Sequence, residues 1–198
     1  MFTGIVENQS VIEKIVENQN NVEVWFSSNW THEFKIDQSI AHNGICLTID
    51  QMEGNQYRIT AIEETLKKTT LSLWQPLQKI NIERCLKLGD RLDGHIVQGH
   101  VDAVADCIAV HKQGNTTEFT FRIAPSQLGY IIEKGSIALD GISLTTHTLI
   151  DDTFKVSLIP YTLEYTNAHQ WQQGSKINVE FDFLAKYLQR NIQLGNRN

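Results

Sequence analysis

An internal repeat at a constant spacing constrains this chain more than any other feature of its sequence. Residues 39–48 read SIAHNGICLT and recur at residues 136–145 as SIALDGISLT, with seven identities in ten at an offset of 97. The same offset carries residues 79–83 (KINIE) onto residues 176–180 (KINVE). A repeat this long exceeds the length of solenoid units and indicates two copies of one domain.

Each copy alternates apolar and polar residues with a period of two, as in Phe119, Phe121 and Ile123. This period is typical of strands with one buried face, and glycine-containing turns separate the runs. The sequence predicts an antiparallel barrel or sandwich in each copy, with short helical insertions at residues 65–73 and 162–170. The predicted domains are residues 1–94, 95–182 and a helical tail at 183–198.

The tail changes to a helical period. Leu184, Tyr187, Leu188 and Ile192 recur at the spacing of one helix face, which predicts an amphipathic helix over residues 183–193. A helix this short is marginal by itself, so its apolar face must pack against something. It either covers its own barrel or seals an interface between copies of the chain.

Composition excludes several classes of function. Lys plus Arg number 17 and Asp plus Glu 23, a net charge of −6 that argues against a nucleic-acid partner. No apolar run approaches the roughly 18 residues of a membrane span, and the first residues do not resemble a signal peptide, so we expect a cytoplasmic protein with no membrane partner. The three cysteines have no CxxC spacing, and GxGxxG, Walker A, HExxH and GxSxG motifs are missing. We therefore expect neither nucleotide-phosphate nor metal chemistry.

The repeated decapeptide carries the first candidate chemistry. In residues 45–49, alternation places Cys46 and Thr48 opposite the apolar face, and the second copy presents Ser143 and Thr145 in the same way. A lone cysteine is ordinarily a small buried hydrophobe, but Cys46 points away from its apolar neighbours. At equivalent positions the copies also differ as Asn43 and Asp140. A nucleophile in one copy and an acid–base group in the other predict a reaction that joins two similar molecules.

The second candidate lies between the copies, in residues 94–102 (GHIVQGHVD). His95 and His100 would face opposite sides of a regular strand, which argues against a shared metal site. Gly99 matches Gly4 at an offset of 95 and permits close backbone approach to a ligand. His100 is a candidate for proton transfer, and His95 is either catalytic or structural.

Four motifs in order, MFTGIVE, SIAHNGICLTI, GHIVQGHVD and SIALDGISLTT, resemble those of the α-type riboflavin synthases, a family with two lumazine-binding repeats. The resemblance covers essentially all 198 residues. It implies an all-β fold of two similar six-stranded antiparallel Greek-key barrels plus a C-terminal α-helix that holds a homotrimer together. It also implies a dismutation of two 6,7-dimethyl-8-ribityllumazine molecules to riboflavin and 5-amino-6-ribitylaminouracil, without cofactor or metal, and leaves association with a lumazine synthase open.

The resemblance further implies a site between the first barrel of one subunit and the second barrel of another. Cys46 with Ser39 would activate or add a nucleophile at one lumazine, while Asp140 and His100, with His95 nearby, would assist proton transfer at the other. Phe2 would line the site or lie in the core. The implied substrate-binding residues are Phe2, Gly4, Ile5, Val6, Cys46, Leu47, Thr48, Thr60, Ala61, Ile62, Glu63, Glu64 and Thr65 in the first pocket, and Gly99, His100, Val101, Lys134, Ser143, Leu144, Thr145, Leu158, Ile159, Pro160, Tyr161, Thr162 and Leu163 in the second.

Two other functions compete with this interpretation. A non-catalytic lumazine or flavin carrier of the same fold would lack the polar set, so the presence of Cys46, Asp140, His95 and His100 favours the enzyme. A flavin-dependent reductase would need an added dinucleotide-binding domain, for which two repeats in 198 residues leave no room.

Overall fold

The computed structural model describes residues 1–18 and 21–195. Within these residues, twelve strands form two closed six-stranded barrels in which every strand pair is antiparallel, as the sequence predicts. The first barrel comprises β1 (Asn8–Asn18), β2 (Asn21–Ser27), β3 (Ser39–His42), β4 (Ile45–Glu53), β5 (Gln56–Ala61) and β6 (Lys79–Arg84). The second comprises β7 (Ala103–Gln113), β8 (Thr116–Arg122), β9 (Ser136–Leu139), β10 (Ile142–Ile150), β11 (Thr153–Leu158) and β12 (Lys176–Phe181).

The two barrels have the same connectivity. Around the first barrel the order is β1-β2-β5-β4-β3-β6, and the second barrel repeats it as β7-β8-β11-β10-β9-β12. Closure leaves neither barrel with an unpaired sheet edge. The inward residues of each barrel form a separate apolar core, centred on Phe26 and Tyr57 in the first and on Phe121 and Phe154 in the second.

A short helix follows β5 and β11 in the two copies. The helices α1 (Glu63–Lys68) and α2 (Pro160–Tyr165) each run into a 3₁₀ turn, at Thr70–Leu73 and Asn167–Gln170. Both helices begin two residues before the predicted insertions. One residue separates each helix from the preceding strand, and in α2 a proline occupies the first turn, where its missing N–H carries no penalty.

The C-terminal helix α3 spans Phe183–Gly195, two residues beyond the predicted end. Gln189 Nε2 donates to the Gly129 carbonyl at 2.8 Å, and Lys186 Nζ lies 2.9 Å from Asp102 Oδ2, so its polar residues fasten it to the second barrel. The predicted apolar residues Leu184, Tyr187, Leu188 and Ile192 remain 57–68% exposed. Residues 196–198 of the predicted tail lie outside the described residues. No helix in the described part of the chain has the length and apolar character to cross a membrane.

Candidate active site

The outward faces of β4 and β10 present the polar residues that the repeat predicts. Cys46 and Ser143 are half-buried, and Thr48 and Thr145 are exposed. Ile45 and Ile49, which alternate with Cys46 and Thr48 along β4, point into the first core. Alternation along a strand therefore separates a core face from a face available to a ligand in both copies.

Two glycine turns press against these strands. The Gly4 turn (residues 3–5) and the Gly99 turn (residues 98–100) have glycines with φ of +75° and +81°. The Gly99 carbonyl accepts a hydrogen bond from Cys46 N at 2.8 Å, and the Gly4 carbonyl accepts one from Ser143 N at 2.7 Å. Each turn thus closes on the outward strand of the other copy, and a short antiparallel bridge between Phe2 and Val97 joins the turns.

A buried carboxylate holds each turn. Glu83 accepts from Thr3 N at 2.6 Å, Thr3 Oγ1 at 2.7 Å and Gly4 N at 3.0 Å. Glu180 accepts from three successive backbone N–H groups of the Gly99 turn, at 2.6, 2.8 and 2.9 Å. Burial raises the pKa of both, that of Glu83 to about 7. Neither residue was predicted to be functional, although both lie in the repeated segments 79–83 and 176–180.

His95 and Ser143 form a hydrogen-bonded pair, with 2.7 Å between Nδ1 and Oγ. Burial lowers the pKa of His95, so the imidazole is neutral near pH 7 and has a nitrogen free to accept a proton. The segment that carries it is not the regular strand assumed from the sequence, because in this stretch only Val97 makes a strand-type bridge. His95 is buried and His100 is exposed.

Cys46 lies beside Ser39, on the neighbouring strand β3. Burial raises the pKa of the Cys46 thiol above its ordinary value, and the nearby Ser39 side chain offsets this only in part. The group is therefore protonated near neutral pH, and in this state it is a hydrogen-bond donor and a weak nucleophile.

Asp140 lies between the barrels and is only 3% exposed. Its carboxylate accepts hydrogen bonds from Asn178 N at 2.9 Å, Asn167 Nδ2 at 3.0 Å and Trp171 Nε1 at 3.2 Å. Burial raises its pKa to about 6. Among the hydrogen bonds of the described residues, none joins Asp140 to His100, so the structure does not bring together the acid–base pair expected from the sequence.

The asparagine partners of Asp140 connect the two copies. Asn81 Nδ2 in β6 donates to Asn167 Oδ1 at 2.8 Å, and Asn178 Nδ2 in β12 donates to the Asn43 carbonyl at 2.9 Å. Asn43, the first-copy equivalent of Asp140, accepts from Asn167 Nδ2 at 3.1 Å. The turns before β4 and β10 therefore meet in one buried polar cluster. The carboxylate is placed where it fastens the barrels, with its oxygens occupied by internal donors.

The remaining residues implied by the resemblance fall into two groups. Phe2, Leu47, Ala61 and Leu158 are at most 6% exposed and belong to the packed interior. Lys134 lines a cavity of about 540 Å³ between Ile132 and α3. The accessible or half-buried members are Ile5, Val6, Ser39, Cys46, Thr48, Thr60, Ile62, Glu63, Glu64, Thr65, His100, Val101, Lys134, Ser143, Leu144, Thr145, Ile159, Pro160, Tyr161, Thr162 and Leu163.

Comparisons with known proteins give the same family that the sequence motifs resemble. The lumazine binding domain model matches residues 3–85 and 98–182. Riboflavin synthase of Brucella abortus is 38% identical over 200 residues, covering 98% of each chain, and that of Bacillus subtilis is 35% identical over 199 residues, covering 100% of this chain and 93% of the relative. Crystal structures of LumP with 6,7-dimethyl-8-(1'-D-ribityl) lumazine and with riboflavin superpose with TM-scores of 0.83 and 0.85. These structures are 21% identical to this chain, and the matches cover 91% of this chain and 98–99% of theirs. They show that the fold is shared. With two domain matches and full-length relatives, this chain belongs to the riboflavin synthase family.

Proposed function

We propose that this chain converts two molecules of 6,7-dimethyl-8-ribityllumazine into riboflavin and 5-amino-6-ribitylaminouracil by moving a four-carbon unit from one to the other. One observation carries the proposal. The chain holds two copies of a lumazine-binding domain whose equivalent outward strands present different groups, Cys46 beside Ser39 in one and Ser143 beside His95 in the other. Two similar binding surfaces with different polar groups suit a reaction in which identical substrates take unequal parts.

The chemistry asks for proton transfer and orientation. The donor must lose a proton from its 7-methyl group, and the acceptor must become electrophilic at its own carbon 7. The transfer redistributes carbon between two identical molecules, so it balances without an external oxidant or reductant. Holding the two rings face to face replaces a bimolecular search with an intramolecular encounter, which is a large part of the available rate enhancement.

The unequal groups suggest a division of work. A neutral His95 with Ser143 Oγ at 2.7 Å is arranged to accept a proton through the serine hydroxyl. Cys46, held as a thiol, is arranged to donate a hydrogen bond to a ring, or to add to it with the thiol proton passing to a ring nitrogen of the same lumazine. Asp140 contributes through the backbone of β10, because its own oxygens are occupied in the polar cluster.

The function is tested by anaerobic incubation of the purified protein with 6,7-dimethyl-8-ribityllumazine. We expect the absorbance of riboflavin to appear with one riboflavin formed for every two lumazines consumed. Tight binding of lumazine with no riboflavin would favour the non-catalytic carrier. Neither binding nor turnover would contradict the proposal altogether.

We propose further that the protein is a homotrimer, in which substrate binds between the first barrel of one subunit and the second barrel of the next. The exposed apolar side chains of α3 support it, because the helix already contacts its own barrel through Gln189 and Lys186. A cytoplasmic location and association with a lumazine synthase stay predictions.

The role of α3 is tested with Leu188→Asp. We expect the wild type to have about three times the 22.6 kDa mass of the chain and the variant to shift toward that of the monomer, because an added charge disfavours burial of the apolar face. Mass photometry or light scattering would measure the shift. Gln193→Asp, which adds the same charge at an exposed polar position of α3, is the control. An unchanged mass in Leu188→Asp would remove α3 from the interface.

A further inference from the structure

We propose that Glu180 and Glu83 are positioning residues that act across the boundary between the barrels. Glu180 in the second copy holds the Cys46 strand of the first, and Glu83 in the first copy holds the Ser143 strand of the second. The catalytic part of this inference rests on the function proposed above, whereas the structural coupling stands independently of it.

The path from Glu180 to Cys46 has two steps. The Glu180 carboxylate accepts from the backbone N–H groups of Gln98, Gly99 and His100 at 2.6, 2.8 and 2.9 Å, which fixes the orientation of the Gly99 turn. The Gly99 carbonyl in turn accepts from Cys46 N at 2.8 Å. The Gly99 turn is therefore held by four hydrogen bonds, three from its N–H groups to Glu180 and one from Cys46 N to its carbonyl. The position of the Cys46 backbone thus depends on a carboxylate in the other barrel.

The path from Glu83 to Ser143 is its counterpart. Glu83 accepts three hydrogen bonds from Thr3 and Gly4, between 2.6 and 3.0 Å. The Gly4 carbonyl then accepts from Ser143 N at 2.7 Å. Because Ser143 also bonds to His95, Glu83 helps to set the geometry of the hydrogen-bonded pair of Ser143 and His95.

The presence of glutamate at positions 83 and 180 supports a role in holding the glycine turns. Glu83 and Glu180 are 6% and 3% exposed, and burying a carboxylate costs free energy unless several donors satisfy it. Two carboxylate oxygens can accept all three hydrogen bonds, whereas glutamine offers a single oxygen and places an NH₂ group against an N–H donor. Glu→Gln therefore changes the hold on the turn at nearly constant volume.

The coupling is tested by measuring thiol reactivity and histidine titration in Glu180→Gln and Glu83→Gln. We expect Glu180→Gln to raise the rate of Cys46 alkylation by iodoacetamide about fivefold, since losing a hydrogen bond increases local opening by about this factor. Peptide mass spectrometry would read Cys46, Cys85 and Cys107 separately, with Cys85 and Cys107 unchanged. In Glu83→Gln we expect the NMR titration of His95 to shift and Cys46 alkylation to remain as in the wild type.

Glu53→Gln, an exposed glutamate at the end of β4, is the control and should change neither measurement. Glu180→Asp keeps the negative charge, which itself raises the pKa of Cys46, but shortens the reach of the side chain. An intermediate rate in this variant would show lost positioning, whereas a wild-type rate would assign the effect of Glu180→Gln to charge and overturn the coupling. A reversed pattern, an equal rise at all three cysteines, or no change in either variant would overturn the coupling.

The catalytic part is read from kinetics. We expect a lower kcat with little change in KM in both Glu→Gln variants, because the substrate surface remains while the reacting groups lose alignment. A rise in KM alone would overturn the positioning role. Absence of riboflavin formation by the wild type would contradict the proposed function only, since alkylation and titration do not depend on turnover.

Discussion

Gly99→Ala is expected to be strongly destabilising, with a loss of about 3–5 kcal/mol in the free energy of unfolding. Gly99 has φ of +81°, and an added Cβ would lie 2.5 Å from Cys46 Cβ, 2.9 Å from Phe2 Cε2 and 3.0 Å from Cys46 N. The methyl group therefore meets both a strained backbone and a strand that cannot move without breaking its pairing with β3. Urea unfolding would measure the loss.

Gly114→Ala separates the two causes. Gly114 also has a positive φ, +57°, but an added Cβ meets nothing within 4 Å. We expect it to lose only about 1–2 kcal/mol, the cost of a left-handed backbone for an L-residue. Equal losses in the two variants would show that the Gly99 turn does not press on the Cys46 strand. The same comparison can be made in the first copy with Gly4→Ala and Gly54→Ala.

The second large effect is a fall in stability with rising pH, to which Asp140 contributes alongside Glu83, whose pKa burial also raises. Burial raises the pKa of Asp140 from 3.8 to about 6, so the folded state binds a proton that the unfolded state has already released. This contribution is fully present below about pH 4 and is lost as the pH rises through 6. A shift of about two pKa units corresponds to about 3 kcal/mol.

Asp140→Asn is expected to remove this part of the slope. Urea unfolding at pH 4.5 and pH 7.5 would compare the two proteins, and the difference between pH values should be smaller in the variant. Asp151→Asn is a matched control, because Asp151 is exposed and shares a left-handed backbone, with φ of +50° against +46° for Asp140. If Asp140→Asn kept the wild-type slope, another group would be responsible for it.

Local pattern was sufficient to predict much of the fold. The 97-residue offset predicts two copies because equal sequences adopt equal strands, and the barrels indeed share one connectivity. Alternation in residues 45–49 places Cys46 and Thr48 outward because side-chain direction along a strand depends only on parity. The apolar spacing of Leu184, Leu188 and Ile192 predicts α3 for the same kind of reason.

Long-range contacts account for what the sequence did not reveal. Glu83 lies about 80 residues from Thr3 and Gly4, so nothing near it in sequence marks it as an acceptor for their donors. The interpretation of Asp140 as an acid–base group did not include its three internal donors, two of which come from residues 27 and 31 positions away in sequence. The segment from His95 to His100 was assumed to be a strand, but only the bridge between Val97 and Phe2 is strand-like.

The reciprocal closure of the two glycine turns also bears on how the copies have diverged since the duplication. Each turn accepts a hydrogen bond from the backbone N–H of Cys46 or Ser143. Such a bond does not depend on whether the side chain at that position ends in sulfur or oxygen. Selection could therefore exchange cysteine and serine at this position while a common main-chain frame was retained. Any lineage that lost one glycine turn would instead have damaged the chemistry of the other copy, which ties the inheritance of both halves together.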